Sequence, residues 1–310
     1  MKILICDQIH ESLFPMMEEL SLLVDYKPEI TRDEIKNIIK DYDGLVIRSK
    51  TTVDSDLLGS QCKLKFVARP GAGLDLLDVR ELEKRNIKVF NSPEGNRDAL
   101  GEHALGMLLS LATNIVKGDK EVRRKVWDRE GNRGFELKGK TIGIVGYGQM
   151  GSAFAEKLSG FSCNVIFYDK KKTEFHSIFA AKVSQQELFE KSDIVSFHIP
   201  LDADNLNLIN EEYLNNFKKD IVLINTARGK ILVLEDLLKL IDSGKVQGAA
   251  LDVLENEKPN QLSPEEEETF NNLINRNNIV LTPHIGGWSY ESYIKMNEVL
   301  VDKIQTLISE

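Results

Sequence analysis

Cysteine is scarce in this chain. There are three in 310 residues, Cys6, Cys62 and Cys163, set far apart and without a C-x-x-C pair. That spacing offers no disulfide framework, no dithiol redox pair and no metal-binding cluster. Each thiol lies in or beside an apolar run, which fits buried thiols in a reducing compartment. Positive charge is also in deficit: 40 Lys and Arg face 49 Asp and Glu, a net charge of −9. No basic stripe is available to neutralise phosphates, which argues against a nucleic-acid partner. The short cluster Arg123-Arg124-Lys125 is interleaved with acids and reads as a solvated helix face. Long hydrophobic runs are missing as well. The most apolar longer segment, Ala99 to Ala112, carries Glu102 and His103 and is too short to span a bilayer. Met1 to Asp7 is too short for a signal sequence and reads as a first strand. The expectation is a cytoplasmic protein with no membrane partner. A G-x-S-x-G elbow, internal repeats and low-complexity tracts are absent too, so nothing supports a Ser-His-Asp hydrolase.

What is present is the composition of a soluble globular protein, 42% hydrophobic and 29% charged, long enough for two domains with cores. Short apolar runs alternate with helical patterns throughout, which predicts parallel sheets with helices on both faces. Over residues 1 to 97 the strands are read at Ile3–Cys6, Leu22–Tyr26, Leu45–Ile47, Phe66–Ala68 and Ile87–Phe90. Helices are read at 12–20, 31–40, 54–58 and 75–86, with Thr31-Arg-Asp-Glu34 as a capping box. Asp98 to Lys117 reads as one long helix crossing between domains. A second α/β unit runs from 139 to about 285, with later strands at 194–198, 221–225, 248–252 and 279–282. Ser263-Pro-Glu-Glu266 starts a further helix, with proline at its first position and acids in its first turn. The amphipathic tail, apolar at Tyr293, Met296, Leu300, Ile304 and Leu307, is expected to return to the first domain.

The stretch from Gly139 to Asp169 organises the whole. Thr141 to Val145 is a buried strand, and Gly146, Gly148 and Gly151 form G-x-G-x-x-G before a helical pattern. The first glycine permits the tight turn, the second lets backbone approach a pyrophosphate, and the third lets helix pack on strand. The pyrophosphate would sit at the helix N-terminus. A second strand, Val165 to Tyr168, ends in Asp169, placed to accept hydrogen bonds from a ribose and to repel the extra phosphate of NADP. Lys170 to Lys172 would tolerate that phosphate, so NAD is favoured without excluding NADP.

Three polar residues lie past strand ends of this unit: Arg228, Glu257 and His284. Ligands bind beyond the carboxyl ends of parallel strands, so the three tips are expected to converge. The set suits hydride transfer at a secondary alcohol. A histidine takes the hydroxyl proton, a carboxylate orients it, and an arginine fork grips a substrate carboxylate. Glu257 is the weakest of the three, because Glu255 stands two residues away. His10, His103, His176 and His198 read as structural or exposed.

These motifs resemble the D-isomer-specific 2-hydroxyacid dehydrogenase family across essentially the whole chain. The markers are Gly146-Tyr-Gly-Gln-Met-Gly151, Asn225-Thr-Ala-Arg-Gly229, Ala249-Ala-Leu-Asp-Val253 with Glu257 and Pro259, and Pro283-His-Ile-Gly-Gly287. The resemblance implies two Rossmann-like or flavodoxin-like, doubly wound parallel-sheet α/β domains with a cleft between them. A discontinuous substrate-binding domain would comprise 1–97 plus 288–310, and an NAD-binding domain 98–287. It implies catalysis by Arg228, Glu257 and His284. Beyond the glycines and Asp169, it adds NAD contacts at Gln149, Met150, Ile199, Thr226, Ala227, Asp252 and Gly286. Within the family, Leu45 to Val53 and Ala68 to Asp75 most resemble phosphoglycerate dehydrogenases. Arg48 and Arg69 would then face the 3-phosphate, and backbone near Gly71 and Ala72 the carboxylate. Pro70 and Leu76 depart from that pattern, and the chain stops without the regulatory domain many relatives carry. The reading is oxidation of 3-phospho-D-glycerate in serine biosynthesis, with a homodimer expected. Glyoxylate or hydroxypyruvate reduction stays open, as does an NAD(H)-sensing, corepressor-like binding protein.

Overall fold

The computed structural model describes residues 1–171 and 177–309. The chain forms two compact units, Met1–Arg97 with Trp288–Glu310, and Asp98–Gly287. The first is built on five strands: β1 (Lys2–Ile5), β2 (Leu23–Tyr26), β3 (Gly44–Val46), β4 (Phe66–Arg69) and β5 (Lys88–Asn91). They are all parallel, in the order β2-β1-β3-β4-β5. The order reverses between β1 and β3, and in such sheets that switch point opens a crevice at the strands' carboxyl ends. One face carries Leu4, Leu45 and Val67 against Ile35, Leu57 and Leu82. The other carries Ile3, Ile5, Val46 and Phe66 against Leu13, Met17, Leu300 and Ile304. The C-terminal helix Tyr290–Ser309 therefore completes this unit's core, packing its apolar stripe of Leu300, Val301 and Ile304 into that cluster.

The second unit has seven strands: β6 (Thr141–Val145), β7 (Asn164–Tyr168), β8 (Ala181–Lys182), β9 (Ile194–Phe197), β10 (Ile221–Asn225), β11 (Val246–Leu251) and β12 (Ile279–Leu281). Their order is β12-β11-β10-β9-β6-β7-β8, again all parallel. Burial on both faces explains why β9 and β10 are apolar almost throughout rather than alternating. The two-residue β8 has no periodic signature and is not readable from the sequence.

Most helices begin where capping chemistry placed them. Thr31 and Ser263 each close a reciprocal box with the glutamate three residues on, and Ser184 forms another with Glu187. The reading of one helix over 98 to 117 is corrected. The helix starts at Pro93 and ends at Ala112, and a second runs Ile115–Arg123 at 61° to it. Asn114 sits in the left-handed region (φ 55°), and the Phe135 amide takes the Ala112 carbonyl at 2.8 Å, so the chain turns there. Among the described residues no single helix is long and apolar enough to cross a membrane. That bent pair passes the same test together on length and composition alone.

Candidate active site

The glycine loop follows β6 at the switch between β6 and β9. Gly146 has φ 88°, and a Cβ there would stand 2.6 Å from the His198 carbonyl oxygen, so only glycine fits. A Cβ on Gly151 would overlap the Gly146 carbonyl, whereas nothing lies within 4 Å of one on Gly148. The middle position is therefore the open one. It caps the helix Gln149–Lys157, whose first amides face that space. Tyr147 is fully buried, stacked on Phe167 at 3.8 Å with its hydroxyl 2.7 Å from Ser177 Oγ. It pins the loop to β7, a role its place inside the motif did not advertise. Asp169, one residue beyond β7, accepts the Tyr147 amide at 2.8 Å and the Lys171 amide at 2.9 Å.

This cradle fits a dinucleotide. It has an open glycine at a helix N-terminus and an acid at the next strand's tip. The buried Thr226 Oγ1, just past β10, has no hydrogen-bond partner among the described residues. Lys170 pairs with Asp204 at 3.1 Å, and Lys171 lies 4.0 Å from Asp202, so neither stands alone as a cation for a 2′-phosphate. Lys172 and His176 lie outside the described residues.

The register of β10, β11 and β12 brings the polar tips to one edge. Asn225 pairs with Leu251, and Leu251 with Leu281. Arg228 and His284 each stand three residues beyond their paired strand ends. Arg228 is half-buried; one Nη1–H goes to the Ala227 carbonyl at 2.6 Å, while Asn225 Nδ2 holds the Arg228 carbonyl at 3.0 Å. His284 Nδ1 lies 2.8 Å from Glu257 Oε2, and both side chains are a little over two-fifths exposed. A carboxylate on Nδ1 fixes the proton there and leaves Nε2 as the reactive nitrogen.

Glu255 and Glu257 are told apart by structure. Glu255 accepts the Leu234 amide at 3.0 Å, at the start of the helix Leu234–Asp242. Burial first, and then neighbouring acids, push its carboxyl above the usual range. Glu257 is the one that meets histidine.

His284 has φ 54°, a left-handed conformation that costs a non-glycine residue about 1 kcal/mol or more. Asp252 holds it there. The Asp252 carbonyl accepts the His284 amide at 2.8 Å, and its carboxylate accepts the amides of Ile285 at 2.9 Å and Gly286 at 2.8 Å. Thr282 Oγ1 donates to the same carboxylate at 2.6 Å, and His103 Nε2 lies 3.3 Å away. Asp252 is 2% exposed. Burial alone would raise its pKa, but these hydrogen bonds outweigh it and hold the carboxyl below the ordinary range. Its side chain organises the histidine loop. His103 thus has a structural partner that the sequence did not reveal. Ile199 stands beside Gly146, where a Cβ on that glycine would meet its side chain at 2.8 Å. Ala227 is buried, with its amide on Asn225 Oδ1 at 3.0 Å. Gln149 and Met150 open the helix after Gly148.

In the first unit, Asp7 is buried beyond β1 and accepts the amides of Arg48 at 2.6 Å and Lys50 at 3.0 Å. Arg48 lies with its guanidinium 4.3 Å from the Tyr293 ring centre and 5.4 Å from that of Trp288. No carboxylate is within ion-pair distance of it among the described residues. Arg69 is engaged differently. Its Nε–H goes to the Arg48 carbonyl at 2.6 Å and an Nη1–H to the Gly73 carbonyl. The Gly71 amide is taken by Ser92 Oγ at 3.0 Å, and the Ala72 carbonyl by Asn91 Nδ2 at 2.8 Å.

Comparison with known proteins identifies the family. Residues 105–286 match the model for the D-isomer specific 2-hydroxyacid dehydrogenase, NAD binding domain. The chain is 34% identical to a hydroxypyruvate reductase of Thermotoga maritima over 287 residues, 93% of this chain and 90% of that protein. It is 32% identical to a D-3-phosphoglycerate dehydrogenase of Archaeoglobus fulgidus, covering 98% of this chain but 56% of that longer protein. A solved glyoxylate reductase from Paecilomyes thermophila superposes with a TM-score of 0.87 at 25% identity, covering 100% of this chain and 95% of that one. The chain belongs to the D-isomer specific 2-hydroxyacid dehydrogenase family and is an NAD-dependent oxidoreductase of the CH–OH group of 2-hydroxy acids.

Proposed function

We propose that the chain oxidises 3-phospho-D-glycerate to 3-phosphohydroxypyruvate, a step of serine biosynthesis. The observation that carries the reading is Arg48, a guanidinium held against two aromatic rings with no carboxylate at ion-pair distance among the described residues. An arginine so placed suits a phosphate. Arg69, the second candidate to face the phosphate, also bonds the Arg48 carbonyl and so ties the two arginine loops together. Within its own unit the backbone around Gly71 and Ala72 is the candidate for the substrate carboxylate; in the other unit the Arg228 fork is.

Bound NAD supplies the hydride acceptor. Neutral His284 accepts the substrate hydroxyl proton on Nε2 while Glu257 keeps Nδ1–H in place and steadies the imidazolium that forms. Arg228 aligns the C–O bond and stabilises negative charge on the oxygen as the carbonyl develops. In the reducing direction the same imidazolium returns the proton. The protein would work as a homodimer, for which the exposed Ile115, Val122, Val126 and Trp127 offer apolar surface. A cytoplasmic location belongs to the same reading.

A second reading is reduction of hydroxypyruvate or glyoxylate. The hydroxypyruvate reductase matched along 90% of its own length favours it. It uses the same His, Glu and Arg without the phosphate contact. A panel following NADH consumption with 3-phosphohydroxypyruvate, hydroxypyruvate, glyoxylate and pyruvate decides between them. Strong preference for the phosphorylated acid supports serine synthesis; preference for the others removes it. NADH binding with no turnover on any acid would point to a sensor.

A further inference from the structure

The loops after β1, β3 and β4, with the C-terminal helix, line a small recess at the switch point of the five-stranded sheet. It opens to solvent, so that an anion can dock at its mouth, and its lining includes His10, Arg48, Pro70, Tyr293 and Asn297. The buried Pro70 lines one side, and Tyr293 stands beside both Arg48 and His10. Its ring centre is 4.3 Å from the Arg48 guanidinium and 5.7 Å from the His10 ring.

The tautomer of His10 follows from its partners. The Ser12 backbone amide donates to His10 Nδ1 at 3.3 Å, so that nitrogen is an acceptor. Ser12 Oγ, 3.0 Å from the same nitrogen, itself accepts from Asn297 Nδ2 at 2.9 Å and so has its hydrogen left for His10. The Asn297 orientation is fixed too, because Nδ2 also faces the His10 carbonyl at 3.4 Å, and a carbonyl only accepts. Asn297 is 1% exposed. With Nδ1 occupied as acceptor, the ring proton of neutral His10 resides on Nε2. A buried asparagine on the C-terminal helix thereby makes His10 a donor on the pocket wall.

We infer that His10 Nε2–H and the Arg48 guanidinium jointly bind the distal anionic group of the substrate, making His10 a specificity-determining residue. This rests on the phosphate-bearing substrate proposed above. Arg48 contributes charge, His10 a directed hydrogen bond, and Tyr293 keeps Arg48 flat so that its N–H edge meets the anion.

The test compares wild type, His10→Ala and His10→Gln, using 3-phosphohydroxypyruvate and hydroxypyruvate as substrates and inorganic phosphate as competitor. His10→Ala should lower the ratio of kcat/KM for the phosphorylated over the unphosphorylated acid by about 10- to 100-fold. It should also weaken phosphate inhibition by a similar factor. His10→Gln, which keeps an N–H donor at comparable reach, should recover most of both. If both substrates suffer equally, or phosphate inhibits the Ala variant as well as wild type, His10 only shapes its loop and the inference is overturned. A wild type that prefers unphosphorylated acids, yet loses phosphate inhibition on His10→Ala, keeps the pocket and removes the phosphoglycerate reading. A wild type that prefers the phosphorylated acid with His10→Ala unchanged does the reverse.

Discussion

The carbonyl of Asp252 accepts the amide hydrogen of His284 at 2.8 Å, so a buried acid fixes the main chain of an exposed base. The same acid binds the next two amides with its carboxylate. Asp252→Asn should disturb this loop without emptying space. An amide places N–H where one oxygen now accepts, leaving a buried donor opposed to a donor, which costs about 1–3 kcal/mol. The expected outcome is a lower unfolding temperature together with a fall in kcat of about 10-fold or more, since a misplaced histidine misses the substrate. Wild-type kcat in a folded Asp252→Asn protein would show that the loop does not depend on the carboxylate.

His284→Ala should cut turnover by at least about 100-fold, the usual worth of a positioned acid–base group. NADH affinity should stay near the wild-type value, because the glycine loop and Asp169 are on other strands. Glu257→Gln should give a smaller loss and a shift in the pH profile of kcat/KM, because an amide on Nδ1 no longer favours the imidazolium. Steady-state kinetics across pH and NADH fluorescence titration check both. Full turnover in His284→Ala would end the mechanism.

Asp169→Ala should weaken NAD more than NADP. The carboxylate holds the Tyr147 amide and stands where a ribose diol would be read. Without it, the 2′-phosphate loses a repulsive neighbour and NAD loses an acceptor. The ratio of kcat/KM for the two cofactors is the measurement; equal effects on both would remove this account of cofactor choice.

His198 predicts an acid-side loss of stability. Desolvation pushes its imidazole down to about 3, and its Nδ1 is shielded and has no hydrogen-bond partner among the described residues. The unfolded imidazole takes a proton as pH falls through about 6.5, whereas the folded one resists until far lower. Between those values the unfolded state binds more protons, so stability falls as pH falls. His198→Gln keeps a partner for Ser196 and removes the titration. Its denaturant midpoint should therefore change less between neutral and acid pH than that of wild type. Parallel pH curves for the two proteins would refute the assignment.

Much of this was legible in the residue order because it depends on local rules. The boxes at Thr31 and Ser263 are set within four residues, and the structure realises both. The helix beginning at Pro93 carries the same Ser-Pro-Glu start as the one at Pro264, but its apolar pattern was read only from Asp98. Its end lies where Asn114 turns left-handed and the Phe135 amide bonds the Ala112 carbonyl, a contact no local window contains.

Every strand except the two-residue β8, together with the glycine loop and the family, is legible in the residue order. Backbone φ, helix capping and apolar periodicity are properties of near neighbours, so they can be read from a short stretch of chain. Only the tertiary structure decided which side chains meet. His103 reaches Thr282 across 179 positions, Asn297 reaches Ser12 across 285, and Glu257 rather than Glu255 turns to His284. Such pairs depend on the register of parallel strands and the docking of helices, where one residue of slip reverses a side chain's direction.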